Sequence, residues 1–88
     1  YQKATLLIIT SQPSAVYGKI RELTHHDATL LEGTGCYEGA ERHILYSVIG
    51  REQIEAVISA IRGIDAKAFI NVINTEQING RFYRTPTR

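Results

Sequence analysis

The sequence predicts one α+β domain, because four apolar runs of strand length are separated by two segments with helical periodicity. The 88 residues suffice for a single domain. The runs and helical segments follow one another in the order strand, helix, strand, strand, helix, strand. Two right-handed crossovers of this kind give a four-stranded antiparallel sheet with both helices on one face, the ferredoxin-like βαββαβ fold.

The first strand and the first helix come from residues 5–27. Residues 5–10, TLLIIT, are rich in β-branched side chains and predict a strand. Pro13 suits the first position of a helix, and Val16, Ile20 and Leu23 follow it at helical spacing. We expect this helix to end within residues 25–27.

The remaining elements follow the same logic. Residues 28–32 and 41–50 predict the second and third strands, and residues 68–73 the fourth. Between the last two strands, Ile54, Val57, Ile58 and Ile61 form the clearest amphipathic stripe of the chain. Gly63 is predicted to end this second helix in the left-handed conformation. We assign residues 1–82 to the domain and residues 83–88 to a basic tail.

Three of the predicted strands are apolar on both faces. In the first strand Leu6 and Ile8 share one face, while Leu7 and Ile9 share the other. An antiparallel sheet with one face in water would alternate apolar and polar residues. We therefore expect the open face to be covered by a homo-oligomer, with a helix from a missing region as the rival explanation.

A glycine-rich stretch between the second and third strands is the predicted ligand site. Residues 32–39, EGTGCYEG, allow positive φ and close backbone approach, and consecutive amides there can form an anion-binding nest. An aromatic ring and a nearby guanidinium add stacking and charge. The predicted ligand-binding residues are Gly33, Thr34, Gly35, Tyr37, Gly39 and Arg42. The alternative is that the stretch is only a turn.

Other chemistry finds little support in the sequence. The formal net charge is +1 and no basic stripe is present, so nucleic acid is not an expected partner. Cys36 is the single cysteine, and the adjacent His25 and His26 cannot chelate one metal ion together from a helix. No lysine, serine–histidine pair or carboxylate pair accompanies the glycines. We predict a non-enzymatic domain without cofactor or metal.

Three segments resemble a known family. Residues 29–39, TLLEGTGCYEG, residues 64–70, IDAKAFI, and the late NGRF of residues 79–82 are similar to the C-terminal domain of the YitT family of bacterial membrane proteins. The resemblance covers residues 4–82; the basic tail departs from it, as does Asp27, where the family often has glycine. Asp tolerates the left-handed conformation that glycine would adopt there.

The resemblance implies an attached transmembrane region and a location on the cytoplasmic face of the bacterial membrane. The start at Tyr1 agrees with a fragment of a longer protein. The resemblance supplies no activity, but the fold is similar to that of PII-like signalling proteins. We therefore expect a ligand-sensing regulatory domain that binds a nucleotide or a small anionic ligand at the glycine-rich stretch. The alternative is a homo-oligomerisation module with no ligand.

Overall fold

The structure, a computed structural model, describes residues 2–80 of the chain. Its strands and helices, in chain order, are β1 Lys3–Thr10, α1 Pro13–Thr24, β2 Thr29–Thr34, β3 Glu41–Gly50, α2 Ile54–Ile64 and β4 Phe69–Thr75. A short 3₁₀ turn, Arg51–Gln53, leads into α2. The predicted tail at residues 83–88 lies outside the described residues, so the predicted domain boundary stays a prediction.

The four strands form one antiparallel sheet in the order β2-β3-β1-β4. The two central strands, β1 and β3, come from the two halves of the chain, and each helix connects two strands that are not neighbours in the sheet. This arrangement is the ferredoxin-like fold, as the sequence predicted.

The core lies between the sheet and the two helices. Alternate residues of β1 are fully buried there, and α1 and α2 each contribute two apolar residues to the same layer. The buried apolar residues are Ala4, Leu6, Ile8, Val16, Ile20, Leu45, Ile49, Val57, Ile61 and Ala68. Of the stripe predicted for α1, Leu23 instead stays 40% exposed.

The other face of the sheet, which we call the open face, is largely apolar. The strand register puts on it the apolar residues Leu7, Ile9, Leu31, Ile44, Tyr46, Val48, Phe69 and Ile73. The uncharged polar residues of this face are Thr5, Thr29, Asn71 and Thr75. Exposed fractions of 62% for Phe69 and 42% for both Tyr46 and Ile73 show that residues 2–80 leave this face uncovered. The predicted division of the strand residues between two faces is thus correct.

Two details of the helix ends differ from the predictions. Gly63 is not left-handed, because α2 continues through Ile64 and ends at Asp65 in an extended conformation. The Asp65 carboxylate accepts hydrogen bonds from Thr10 and Ser11, and these tertiary contacts hold the chain out of the helix. At the end of α1 the left-handed residue is His25, with φ of 62°, and not Asp27.

Candidate functional site

The loop within the glycine-rich stretch is shorter than the sequence predicted. Strands β2 and β3 pair as far as Thr34 and Glu41, so Gly33 and Thr34 belong to β2 and only residues 35–40 form the loop. Gly33 lies opposite Arg42 in this ladder. Three of the six predicted ligand residues, Gly33, Thr34 and Arg42, are therefore strand residues with fixed cross-strand partners.

Within the loop, two amides already have backbone acceptors. The Gly35 N–H donates to the Ala40 carbonyl at 2.7 Å, and the Gly39 N–H donates to the Gly35 carbonyl at 2.7 Å. Gly39 has φ of +72°, a value that few other residues adopt, so this glycine is required by the turn itself. The loop closes on its own carbonyls, and these two donors are directed inward.

The two side chains predicted to bind a ligand are placed differently. Tyr37 is 98% exposed, so its ring extends into solvent from the loop. Arg42 turns back toward the loop: its Nη2 lies 3.6 Å from Glu38 Oε1, and a Cβ on Gly35 would lie 3.5 Å from the same nitrogen. The structure therefore brings Gly35 and Arg42 together and leaves Tyr37 apart.

Beside the loop lies a cavity of about 780 Å³, which we call the strand-end notch. It exists because β1 stops at Thr10, opposite His43, while β3 begins two residues earlier and keeps its pairing with β2. The turn between α2 and β4 forms the opposite wall. The lining residues are Ile9, Thr10, Ser11, Glu41, Arg42, His43, Asp65, Lys67 and Phe69.

Asp65 organises one wall of the notch. Its Oδ2 accepts hydrogen bonds from the Thr10 hydroxyl at 2.7 Å and the Ser11 N–H at 3.2 Å, and its Oδ1 accepts from the Lys67 N–H at 3.1 Å. The Thr10 hydroxyl contributes most, and with the other donors it lowers the pKa of the Asp65 carboxyl below its ordinary value. Asp65 is therefore an ionised structural anchor whose oxygens are already engaged.

On the opposite wall, one polar atom lacks a hydrogen bond. His43 Nδ1 is shielded from solvent and lies 3.8 Å from Glu32 Oε2, which is too long for a hydrogen bond. Among residues 2–80 it has no hydrogen-bond partner. The imidazole itself is about one third exposed and borders the notch.

A second, smaller cavity of about 200 Å³ lies between α1 and the edge of the sheet. It is bordered by Tyr17, whose hydroxyl donates to Asp27 Oδ1 at 2.9 Å. The Ala28 N–H, which donates to the same oxygen at 2.9 Å, contributes most to lowering the pKa of the Asp27 carboxyl, and the Tyr17 hydroxyl contributes next. The other residues that line this second cavity are largely apolar, so it offers a ligand fewer polar groups than the notch does.

Metal ligands and membrane-spanning helices are not found in the described part of the chain. Residues 2–80 contain no group of three or more histidine, cysteine, aspartate or glutamate side chains that could hold a metal ion. No helix in the same range has the length and hydropathy needed to cross a membrane. Cys36 is a free, exposed thiol in the loop.

Sequence reasoning found one notch residue, Arg42, and missed the others. His43, Lys67 and Phe69 lie outside the glycine-rich stretch, and Lys67 and Phe69 line the same cavity as Arg42 only because β4 pairs with β1 beside β3. The sequence shows that Lys67 lies just before the predicted fourth strand. This position indicates a site at the end of β1 only once the pairing of β4 with β1 is known.

Comparisons with known proteins connect the chain to bacterial proteins of unassigned function. A family model described as "Uncharacterized protein conserved in bacteria (DUF2179)" matches residues 26–80. The UPF0750 membrane protein YxkD of Bacillus subtilis (strain 168) is 30% identical over 78 residues, which are 89% of this chain and 28% of that protein. The UPF0750 membrane protein YpjC of the same organism is 30% identical over 73 residues, covering 83% and 25%.

The chain thus spans about a quarter of the length of these curated relatives. Two solved structures share the fold. The DUF2179 protein from Eubacterium ventriosum superposes with a TM-score of 0.68 at 18% identity, over 82% of this chain and 99% of that one. A functionally unknown protein from Pediococcus pentosaceus ATCC 25745 gives 0.69 at 16% identity, over 92% and 97%.

Proposed function

Because this chain belongs to the DUF2179 family of bacterial proteins and resembles parts of two membrane proteins, we propose that it is a regulatory domain that self-associates through its open face. The resemblance to the YitT family, predicted from the sequence, is confirmed by these matches. In this proposal the domain is attached to a transmembrane region, lies on the cytoplasmic side and changes the behaviour of that region by associating with a second copy. It performs no catalysis.

The observation that carries the proposal is the apolar open face. It joins residues from all four strands, and its centre is the row formed by Leu7 and Tyr46, which are paired across β1 and β3. Four strands about 4.8 Å apart and about 20–25 Å long give a plane of roughly 20 by 20 Å or more. The largest apolar patch on a typical monomer covers about 300–600 Å² and is often functional, so a surface of this extent is a candidate interaction surface.

A second copy of the chain is the occupant that this surface fits best. Two sheets can pack face to face about 10 Å apart with interdigitating side chains. An interface around a two-fold axis needs only one patch that is complementary to itself. Among the strand residues, the register puts only Lys3 and Arg42 as charged residues on the open face, at its opposite ends. A membrane-surface patch would be expected to carry more basic residues.

Sedimentation over a concentration range tests the proposal. The variant Tyr46→Glu puts a carboxylate at the centre of the face, where burial against a second copy would be costly. We expect the unmodified chain to shift from monomer to a larger species as concentration rises, and Tyr46→Glu to stay monomeric.

Leu23→Glu is the matched control. Leu23 is 40% exposed, almost the same fraction as Tyr46, but it lies on α1, on the opposite side of the sheet. This variant should associate like the unmodified chain. A chain that remains monomeric at every concentration, or Tyr46→Glu and Leu23→Glu variants with equal association, would contradict the proposal. Binding of the monomer to lipid vesicles would assign the face to the membrane instead.

Ligand sensing is the second candidate, and one observation favours it. Arg42, predicted from the sequence as a ligand residue, borders both the loop and the notch of about 780 Å³. A nucleotide or another small anion bound there could order residues 35–40 and bias an attached membrane domain through its different affinity for two states. The inward direction of the Gly35 and Gly39 amides means that side chains would carry most of the binding.

A thermal-shift screen of the chain against nucleotides and common metabolites tests this candidate. A ligand present at about 100 times its dissociation constant adds about 2.7 kcal/mol to stability, which for so small a domain raises the unfolding midpoint by roughly 10 °C or more. A shift that depends on concentration and disappears in Arg42→Gln supports ligand sensing. A flat response across the screen argues against it.

A further inference from the structure

The lining of the strand-end notch includes two cations. Arg42 lies near the start of β3, and Lys67 lies in the turn between α2 and β4. β1 ends at Thr10, and the next residue, Ser11, lines the same cavity. Because Arg42 and Lys67 extend from different elements, their long side chains can approach one anion in the cavity from two sides.

Neither cation is strongly neutralised by the described residues. The pair between Arg42 and Glu38 is long, at 3.6 Å, and both side chains are exposed, so water screens it. The Lys67 ammonium makes no ion pair within residues 2–80. The nearby Asp65 carboxylate is engaged by hydroxyl and amide donors of this chain.

The acidic residue of β3 that lines the notch points to the other side of the sheet. Glu41 alternates with Arg42 along β3, so its side chain belongs to the face that carries the helices. His43 shares that face. The charged groups left beside the open face are the Arg42 and Lys67 cations and the Asp65 carboxylate, which is held by the Thr10 hydroxyl and by the Ser11 and Lys67 amides.

An apolar floor lies directly beside these cations. Ile9 and Phe69 are paired neighbours on the same face, and the Phe69 ring is 62% exposed. An aromatic side chain in this position can stack on a flat ring of a ligand. Such stacking against a nucleotide base is a common source of binding energy in proteins.

From this arrangement we infer that the notch binds an aromatic phosphate of nucleotide type. Its phosphate lies between Arg42 and Lys67, and its ring lies on Phe69 and Ile9. The inference rests on the ligand-sensing candidate and deepens it by naming the residues and the ligand class, and it is independent of self-association. It also moves the site away from the glycine loop, so that Tyr37 makes no contact with the ligand.

Backbone amide spectra of the 88-residue chain, titrated with adenosine monophosphate, test the inference. Inorganic phosphate and adenosine are the two partial probes. We expect adenosine monophosphate to shift the amides of Ser11, Lys67 and Phe69 and to bind more tightly than either partial probe. Lys67→Gln should weaken its binding about tenfold or more, as expected for losing a hydrogen bond between charged groups. Phe69→Leu should weaken the binding of adenosine monophosphate and leave that of inorganic phosphate unchanged.

Lys19→Gln is the control, because it removes a lysine charge from the exposed surface of α1. It should bind like the unmodified chain. Urea unfolding of each variant shows whether it is folded. The amide shifts of the unmodified chain locate the binding site without relying on any variant.

The possible outcomes separate this inference from the broader candidate. Shifts confined to residues 35–40, together with unchanged binding by Lys67→Gln, would overturn the notch and leave ligand sensing at the loop intact. No shift with adenosine monophosphate overturns the inference; a response to another metabolite in the thermal screen would still support ligand sensing.

Discussion

The Thr10 hydroxyl donates a 2.7 Å hydrogen bond to Asp65 Oδ2 and so joins the end of β1 to the turn that follows α2. Ser11 adds a backbone N–H to the same oxygen. The contact spans 55 residues of chain and shapes one wall of the notch. A single carboxylate therefore determines where α2 ends and where Lys67 is placed.

The first prediction concerns acid stability. Asp65→Asn should lower the free energy of unfolding at neutral pH, because the amide keeps only one acceptor oxygen and no charge for its donors. The folded-state pKa of Asp65 lies below its ordinary value of 3.8, so the ionised carboxylate stabilises the fold. This contribution is complete above about pH 4 and is lost as the pH falls through the depressed folded value.

Urea unfolding at a series of pH values measures this effect. The difference between Asp65→Asn and the unmodified chain should be largest at neutral pH and disappear in acid. Glu55→Gln is the control, since Glu55 is exposed on α2 and makes no hydrogen bond or ion pair within the described residues. A difference for Asp65→Asn that does not change with pH would exclude an electrostatic origin.

A second prediction concerns the buried hydroxyl at the end of α1. Thr24 is fully buried; its Oγ1 donates to the Ile20 carbonyl at 2.7 Å and accepts the His26 N–H at 3.0 Å. Thr24→Val keeps the shape but removes that acceptor, which should cost about 1–3 kcal/mol. Thr24→Ser keeps the hydroxyl and should cost about 1 kcal/mol for the lost methyl group. Chemical unfolding compares the two; a larger loss for serine would refute the role of the hydroxyl.

Two glycines of the loop should respond differently to alanine. Gly39 has φ of +72° and open space where a Cβ would lie, so Gly39→Ala should cost about 1 kcal/mol from backbone strain alone. At Gly35 the backbone is not left-handed and a Cβ would make only ordinary contacts, the nearest at 3.5 Å. Gly35→Ala should therefore not destabilise the fold and should add up to about 0.4–1 kcal/mol, because alanine lowers the entropy of the unfolded chain without straining the folded one.

Thermal unfolding of both alanine variants checks this contrast. Equal destabilisation would mean that the loop backbone differs from the one described. A folded Gly35→Ala variant is also useful for ligand studies, since any lost response cannot be assigned to unfolding.

The two faces of β1 provide a fourth prediction. Ile8 is fully buried under the helices, so Ile8→Val should cost about 0.5–1.5 kcal/mol. Ile9 lies on the partly exposed open face, and Ile9→Val should cost less than about 0.5 kcal/mol in dilute, monomeric chain. At concentrations that favour self-association, the cost of Ile9→Val should rise and that of Ile8→Val should not. Urea unfolding at two protein concentrations measures both effects.

The order of elements and the division of strand residues between two faces were readable from the sequence, because both depend on local periodicity. The alternation of Leu6 and Ile8 with Leu7 and Ile9 is a property of any extended strand. The ends of the strands and helices were harder to predict from the sequence. Residues 33 and 34 read as loop because of their glycine content, yet they continue β2, since pairing with β3 outweighs the low strand propensity of Gly33.

The candidate site was only partly readable from the sequence. Arg42 could be identified because it follows the glycine-rich stretch, whereas Lys67 and Phe69 line the same notch only because β1 pairs with both β3 and β4. The glycines of the stretch suggested that its backbone amides would be free to bind an anion. Whether an amide is free depends on how the loop folds back on its own carbonyls. The Gly35 and Gly39 amides donate to carbonyls of the loop itself.

The sequence by itself determined the α+β class, the order of strands and helices, the two apolar faces of the sheet and the resemblance to a bacterial family. Each follows from short-range spacing or from a local run of residues. Only the tertiary structure decided the end of α2, the length of the loop and the presence of the notch. These depend on contacts such as that between Thr10 and Asp65, whose partners are distant in the chain and whose energies no local pattern contains.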